Sequence, residues 1–260
     1  MSRTLSCNAV IDAQENIPDI LYRFYSLSSE PSQSVQELNE SKFDALKKNE
    51  IWMSAPDALN DPFELATLYI DYRKGYPKEI CDYFSNKLNE CRKDVRIASF
   101  SENDFSSMLM WAYYANNHQG FCVEYKVQKK TYIQKVTYLS KRYGLINSVI
   151  RYFWEEMNQE ERREFEELLS ITNRMKGIEW KNEREFRVIL SADEIRQISD
   201  TGGLVSLESV GLIPMRIILG MKCSESHKRR LMDIGKTLGC PVVSATMSNN
   251  EYKMVVKCNE

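Results

Sequence analysis

Stretches of the chain in which apolar residues recur at every second position alternate with stretches in which they recur every three or four, the periods of half-buried strands and amphipathic helices. Ile20–Phe24 is the first segment of strand composition, after a polar run over residues 1–19, and Ser26–Ser34 follows it as a Ser/Pro/Gln loop. Val35–Lys48 holds apolar residues at 35, 38, 43 and 46 among charges, which predicts a helix broken or capped near Ser41. Ile51–Ser54 predicts a short strand, Pro56–Pro62 a turn, and Lys78–Arg92 a second amphipathic helix with Ile80, Phe84 and Leu88 on one face. Val95–Phe100 and Phe121–Val127 predict strands on either side of a short buried helix, Ser106–Ala115, closed by Asn117 and Gly120. Leu145–Met175 keeps the helical period, with Glu155–Glu167 as a charged outer face. Glu185–Leu190 predicts a strand. Ile213–Leu219, Ser224–Leu238 and Pro241–Thr246 predict a strand–helix–strand unit with parallel strands, Ser224 as N-cap and Gly239 as stop; Tyr252–Lys257 alternates as a last strand.

This order predicts an α+β fold: a mixed β-sheet core with flanking helices, a single domain over residues 20–258 with a helical insertion at about 143–177, and an N-terminal extension over residues 1–19. No fixed-period repeat is present.

Charge and composition narrow the function classes. Among 260 residues, 35 Lys and Arg against 37 Asp and Glu leave a net charge of −2, which excludes a chain-wide basic footprint for nucleic acid. No apolar run approaches the ~18–20 residues of a membrane-spanning helix. Met1–Asp12 lacks the pattern of a signal peptide, so a cytoplasmic protein is expected. Seven cysteines without a CxxC pair, beside only two histidines, predict free thiols rather than a zinc site. GxGxxG, Walker, HExxH and GxSxG motifs are all missing.

The remaining polar candidates fall in four segments. Arg23, between apolar residues of the first strand, calls for an anionic partner or an open face. Asn60-Asp61-Pro62-Phe63-Glu64 reads as a capped turn, or as two carboxylates, Asp61 and Glu64, presented at a cleft. Alternation places Ser99 and Ser101 on one face of their strand; beyond it, Trp111 and Tyr114 share a helical face that is either core or a stacking platform. His118, just past that helix, reads as an imidazolium capping the last carbonyls or as a ligand contact. Period two places Glu183, Glu185 and Arg187 in one row, either a surface salt-bridge ladder or a site in which Arg187 steadies two carboxylates.

Taken together, Leu21-Tyr22-Arg23, the run from Ile51 through Glu64, Ser99–Asn103, Met110-Trp111 to Gly120-Phe121, and Trp180–Arg187 resemble an uncharacterised bacterial family of unknown function, encountered among mobile elements and proposed phage-defence genes. The resemblance spans about residues 20–256. The order of Arg23, Ser99-x-Ser101 and Glu183-x-Glu185 is also similar to the Arg…Ser-x-Ser…Glu-x-Glu signature of ADP-ribosyltransferases, whose fold clamps NAD in a split mixed sheet. That similarity implies that Arg23 holds the NAD phosphates and that Ser99 and Ser101 brace the nicotinamide ribose and the catalytic strand. It further implies that Glu185 stabilises an oxocarbenium-like ribose, that Glu183 orients an acceptor, and that Trp111, Tyr114 or Phe100 stacks on nicotinamide. With His118 as a further ligand contact, the expectation is an NAD-handling transferase or glycohydrolase, a toxin-like effector in phage defence acting on a protein or nucleic-acid acceptor. Two alternatives stand beside it: an Mg²⁺-dependent nuclease using Asp61, Glu64, Glu183 and Glu185, and a non-enzymatic sensor or partner-binding module.

Overall fold

In the computed structural model, which describes residues 16–72 and 75–256, the chain opens with β1 (Ile20–Tyr25), α1 (Gln33–Lys47) and β2 (Glu50–Ser54). A short β3 (Leu68–Tyr69) precedes α2 (Lys78–Lys93), β4 (Val95–Ser101), α3 (Met108–Tyr114) and β5 (Phe121–Val127). Then come β6 (Ile133–Lys135), β7 (Thr137–Leu139), β8 (Tyr143–Gly144), α4 (Asn147–Phe153), α5 (Gln159–Thr172) and β9 (Met175–Gly177). β10 (Glu185–Ser191), β11 (Arg196–Ser199), β12 (Gly202–Ser206), β13 (Leu212–Leu219), α6 (Glu225–Leu238), β14 (Val242–Met247) and β15 (Met254–Val256) complete it.

The fold is α+β around a mixed sheet of eleven strands. One path through it runs β11-β12-β2-β4-β1-β5-β13-β14-β15, with β10 and β6 branching from β4. β13 and β14 are parallel, joined through α6, whose N-cap Ser224 accepts from the His227 amide and whose end is marked by Gly239 at φ 67°.

β4 is where the sheet forks. One edge carries an unbroken antiparallel ladder with β10, from Ser101↔Glu185 to Val95↔Ser191. The other edge meets two strands by a single bridge each, β1 at Tyr22↔Ser101 and β2 at Ser54↔Ile97. β1 continues into β5 and β2 into β12, so the two diverge, and Ser99 lies midway between the bridges.

Three apolar clusters hold this arrangement. The largest packs Phe43, Leu46, Leu231 and Ile234 of α1 and α6 onto Leu21, Met53, Phe100, Phe186 and Ile217 of the sheet. The second sets Met110 and Trp111 of α3 against Phe24, Cys122, Ile218, Ala245 and Met254. The third joins α2, α4 and α5 through Phe84, Val149, Ile150 and Phe165. Burying a side chain of this size contributes about 1.5–3 kcal/mol, which offsets the entropy of ordering it.

Several boundaries differ from the sequence pattern. α1 runs unbroken past Ser41, whose hydroxyl bonds back to the Leu38 carbonyl at 2.8 Å instead of starting a new cap. The helical stretch over Leu145–Met175 is two helices, separated where Glu155 adopts φ 58° and where Asn158 and Glu161 form a capping box for α5. Met175 itself has left the helix for β9. Ile17 is already buried in the main cluster; residues 1–15, Lys257 of the last predicted strand, and Cys7 and Cys258 lie outside the described residues. The other five cysteines are unpaired thiols. No helix among the described residues is long and apolar enough to cross a membrane.

Candidate functional site

A cavity of about 170 Å³ fills the fork. β1 contributes Tyr22, Arg23 and Phe24, β2 contributes Ser54, β4 contributes Ile97, Ser99 and Phe100, and the opposite wall carries Asn60, Glu64, Tyr114, Lys176, Glu183 and Glu185. Of the residues singled out from sequence, Arg23, Ser99, Tyr114, Asn60, Glu64, Glu183 and Glu185 thus meet at one place.

The acidic wall is a buried chain of charges. Cross-strand pairing sets Glu185 opposite Ser101 and Arg187 opposite Ser99, so Glu185 and Arg187 share a face of β10. Arg187 Nε donates to Glu185 Oε1 at 2.8 Å, and its two terminal nitrogens donate to Glu64 Oε1 at 2.6 Å and Oε2 at 3.0 Å. Lys176 Nζ lies 2.6 Å from Glu183 Oε2 and 3.1 Å from Glu185 Oε2. Tyr114 donates its hydroxyl to Glu183 Oε1 and accepts from the Asn60 amide at 3.1 Å. Arg187 is fully buried and the carboxylates and Lys176 nearly so, which overturns the surface-ladder reading. Glu183 is not part of the strand row either: it ends a 3₁₀ turn, and Arg184 turns the chain at φ 48° before β10 begins. Ser101 pins that turn by donating to the Glu183 carbonyl at 2.6 Å, and Asn103 does so by donating to the Asn182 carbonyl at 2.7 Å.

Three carboxylates against two cations leave this wall one negative charge in excess. Burial works against the Glu185 carboxylate, but Arg187 and Lys176 outweigh it and hold its pKa well below the usual carboxylate range. For Glu183 burial prevails over Lys176, and the pKa rises. Burial also works against the Lys176 ammonium, and Glu185 with Glu183 more than offsets it. Burial, followed by the Glu183 charge, raises the Tyr114 phenol well above its ordinary value, so it stays a donor.

The opposite wall is different in kind. Arg23 spans the fork, its NH2 donating to the Trp52 carbonyl at 3.0 Å, while its guanidinium lies 5.4 Å and 5.8 Å from the Tyr25 and Phe100 ring centroids. Its NH1 is buried and has no hydrogen-bond partner. A buried charged donor without a partner is costly.

Besides Ser101, four sequence candidates lie outside the cavity. Trp111 is fully buried in the second cluster, edge-on to Phe24 at 5.2 Å with its indole N–H donating to the Phe105 carbonyl, so it is core and offers no platform. His118 adopts φ 72° and stacks on Trp111 at 5.9 Å; its amide, not its ring, caps α3. Burial and then Lys222 lower its pKa, which disfavours the imidazolium expected from the helix dipole. A Cβ at Gly120, two residues on, would collide with the Tyr25 carbonyl, which explains the glycine there. Asp61 accepts from the Phe63 amide at 2.9 Å and serves the turn, outside the cavity. Arg187 stands behind the carboxylates rather than in the cavity. Sequence reasoning missed Lys176, on the short β9, because a lone lysine after an amphipathic helix carries no signal until β7 pairs beside it through Tyr138↔Lys176.

No group of three or more metal-ligating side chains is assembled among the described residues. Of the four carboxylates expected to hold Mg²⁺, Glu64, Glu183 and Glu185 line the cavity and Asp61 does not, and Glu64 and Glu185 both bind Arg187.

No curated protein and no solved structure matches the chain. Residues 110–188 match the model of a family described as "Protein of unknown function (DUF2971)", a stretch that holds Tyr114, Lys176, Glu183, Glu185 and Arg187 of this site but ends short of Arg23, Asn60, Glu64 and Ser99.

Proposed function

We propose that the cavity takes the nicotinamide–ribose end of NAD and cleaves the bond between them, with water or an acceptor as the incoming nucleophile. The observation that carries this reading is that Arg23, whose NH1 has no hydrogen-bond partner, lines one cavity together with Glu64, Glu183 and Glu185 of a wall with an excess negative charge. NAD has the matching polarity: a pyridinium cation at one end of the ribose and a diphosphate at the other. The cavity, at about 170 Å³, is smaller than the roughly 300–1,000 Å³ of a typical small-molecule site, so it would enclose a ring and sugar and leave the rest outside.

In the reaction the C1′–N bond breaks and its electron pair leaves with neutral nicotinamide, so positive charge develops on the ribose. A fixed carboxylate in a dry site stabilises that charge. Both Glu185 oxygens are bound by cations, which mutes it. Glu183 keeps one oxygen on the Tyr114 hydroxyl, and its raised pKa suits it to take the proton of the attacking nucleophile. We therefore place Glu183 in the catalytic role and Glu185 behind it, positioning Lys176. Ser99 and Arg23 bind the ribose and phosphate side, and Ser101 braces the Glu183 turn.

The test is nicotinamide release from NAD together with the shift in Tm that NAD produces. Release should vanish in Glu183→Gln with the fold intact, and the Tm shift should vanish in Arg23→Ala. A Tm shift without release in the wild-type protein would favour a binding module. Neither effect at millimolar NAD would sink the reading.

A further inference from the structure

A second groove, of about 650 Å³, opens between α2 and β3 and is lined by Tyr69, Tyr72, Asn89, Arg92 and Arg142 among others. Two guanidiniums meet here, and neither forms an ion pair with a carboxylate among the described residues. Arg142 donates from Nε to the Ala66 carbonyl and lies 5.5 Å and 5.0 Å from the Phe63 and Tyr69 ring centroids, so the rings hold its plane. Arg92 donates to the Leu68 carbonyl at 2.7 Å and to the Asn89 side-chain oxygen at 2.9 Å. Among the described residues, both guanidiniums contact only neutral oxygens and rings. Asp71 also borders the groove, but it is buried with contacts of its own and is not among the groups that act on the Arg92 charge. Burial and then the neighbouring Arg142 push the Arg92 pKa down to about 10, so the Arg142 charge reaches Arg92 within this groove.

We propose that this groove is a binding site for a phosphate monoester, held between Arg92 and Arg142. Two guanidinium charges match the roughly −1.5 to −2 charge of a phosphate monoester near neutral pH, whereas the single charge of a phosphodiester would leave one cation unrelieved. Each guanidinium retains donors for an oxyanion, and charge-assisted forks of this kind are short and directional. Tyr72, about half exposed at the rim, offers a face to whatever the phosphate is attached to. The inference does not rest on the reaction proposed for the cavity in the sheet fork.

The experiment is calorimetric titration of the full chain with inorganic phosphate, with AMP, and with a short single-stranded oligonucleotide lacking a terminal phosphate. Phosphate and AMP should bind saturably, and the oligonucleotide should not compete with AMP. Arg142 is exposed, so Arg142→Ala leaves the fold intact and should weaken AMP by about tenfold or more, with Arg142→Lys recovering only part of the loss. Arg23→Ala, in the other cavity, should leave AMP affinity unchanged. The assignment is overturned if neither phosphate nor AMP saturates, if Arg142→Ala binds AMP as the parent does, if the oligonucleotide displaces AMP, or if Arg23→Ala abolishes binding.

Discussion

Arg187 and Arg23 belong to opposite sides of the same fork, and the protein treats them in contrasting ways. Arg187 is fully buried, and its guanidinium is shared among Glu185, Glu64 and the Asn173 carbonyl. Arg23 is only half-buried, has one carbonyl partner and leaves NH1 unanswered. A saturated cation in a core holds chain segments together; in the function we propose, the unsaturated one at the cavity binds the ligand. The two roles come from the same side chain, separated by what the fold places within hydrogen-bond reach.

The contrast can be broken experimentally, and its structural side should give the largest effect. Arg187→Met leaves the buried Glu64 carboxylate without a cation and Glu185 with Lys176 alone, and should cost about 3–5 kcal/mol in denaturant unfolding. A midpoint unchanged from the parent would mean that the network is not structural. Lys176→Met should cost less, about 2 kcal/mol, because Glu185 keeps Arg187 and Glu183 keeps the Tyr114 hydroxyl. The deficit should grow with rising pH, since losing the cation raises the Glu183 pKa further and folding then disfavours its charged form.

Acid titration separates the two glutamates by sign. The folded-state pKa of Glu185 is depressed, so its contribution is present above the ordinary carboxylate value of 4.5 and is lost as pH falls toward the folded value; Glu185→Gln should flatten that acid limb of stability. Glu183 is raised, so its contribution is present below 4.5 and is lost as pH rises through the folded value, a slope that Glu183→Gln should remove. The smallest effect on stability belongs to Arg23→Ala, which should change unfolding by no more than about 1 kcal/mol while abolishing any Tm shift from NAD. A loss as large as that of Arg187→Met would make Arg23 a structural cation after all.

Much of the framework was legible. β5 was readable to the residue from its composition, and α6 from Ser224 and Gly239, because caps and alternation act over a few neighbouring positions. The split of the helical stretch near Glu155 was not, since a non-glycine residue at positive φ has no compositional mark. In the cavity, Arg23, Ser99, Glu183 and Glu185 stood out because polar groups in apolar strands need partners. Trp111 and His118 do not line the cavity, and Trp111 took the core reading that its spacing also allowed. Spacing along α3 shows that Trp111 and Tyr114 share a face, but not that the face turns Trp111 into Phe24 and leaves only Tyr114 at the cavity.

The main strands, the longer helices, the caps of α6 and the apolar faces were therefore determined by the chain alone, through interactions that span a few residues, whereas the short β3, β6–β9, β11 and β12 carried no such local signal. Which charges neutralise one another was decided by tertiary structure: Glu64 reaches Arg187 across 123 positions, and Ser101 reaches the Glu183 carbonyl across 82. No local period encodes such separations. They arise only when the edge of β4 divides between β1 and β2 and the low dielectric of the interior makes each buried charge seek its partner.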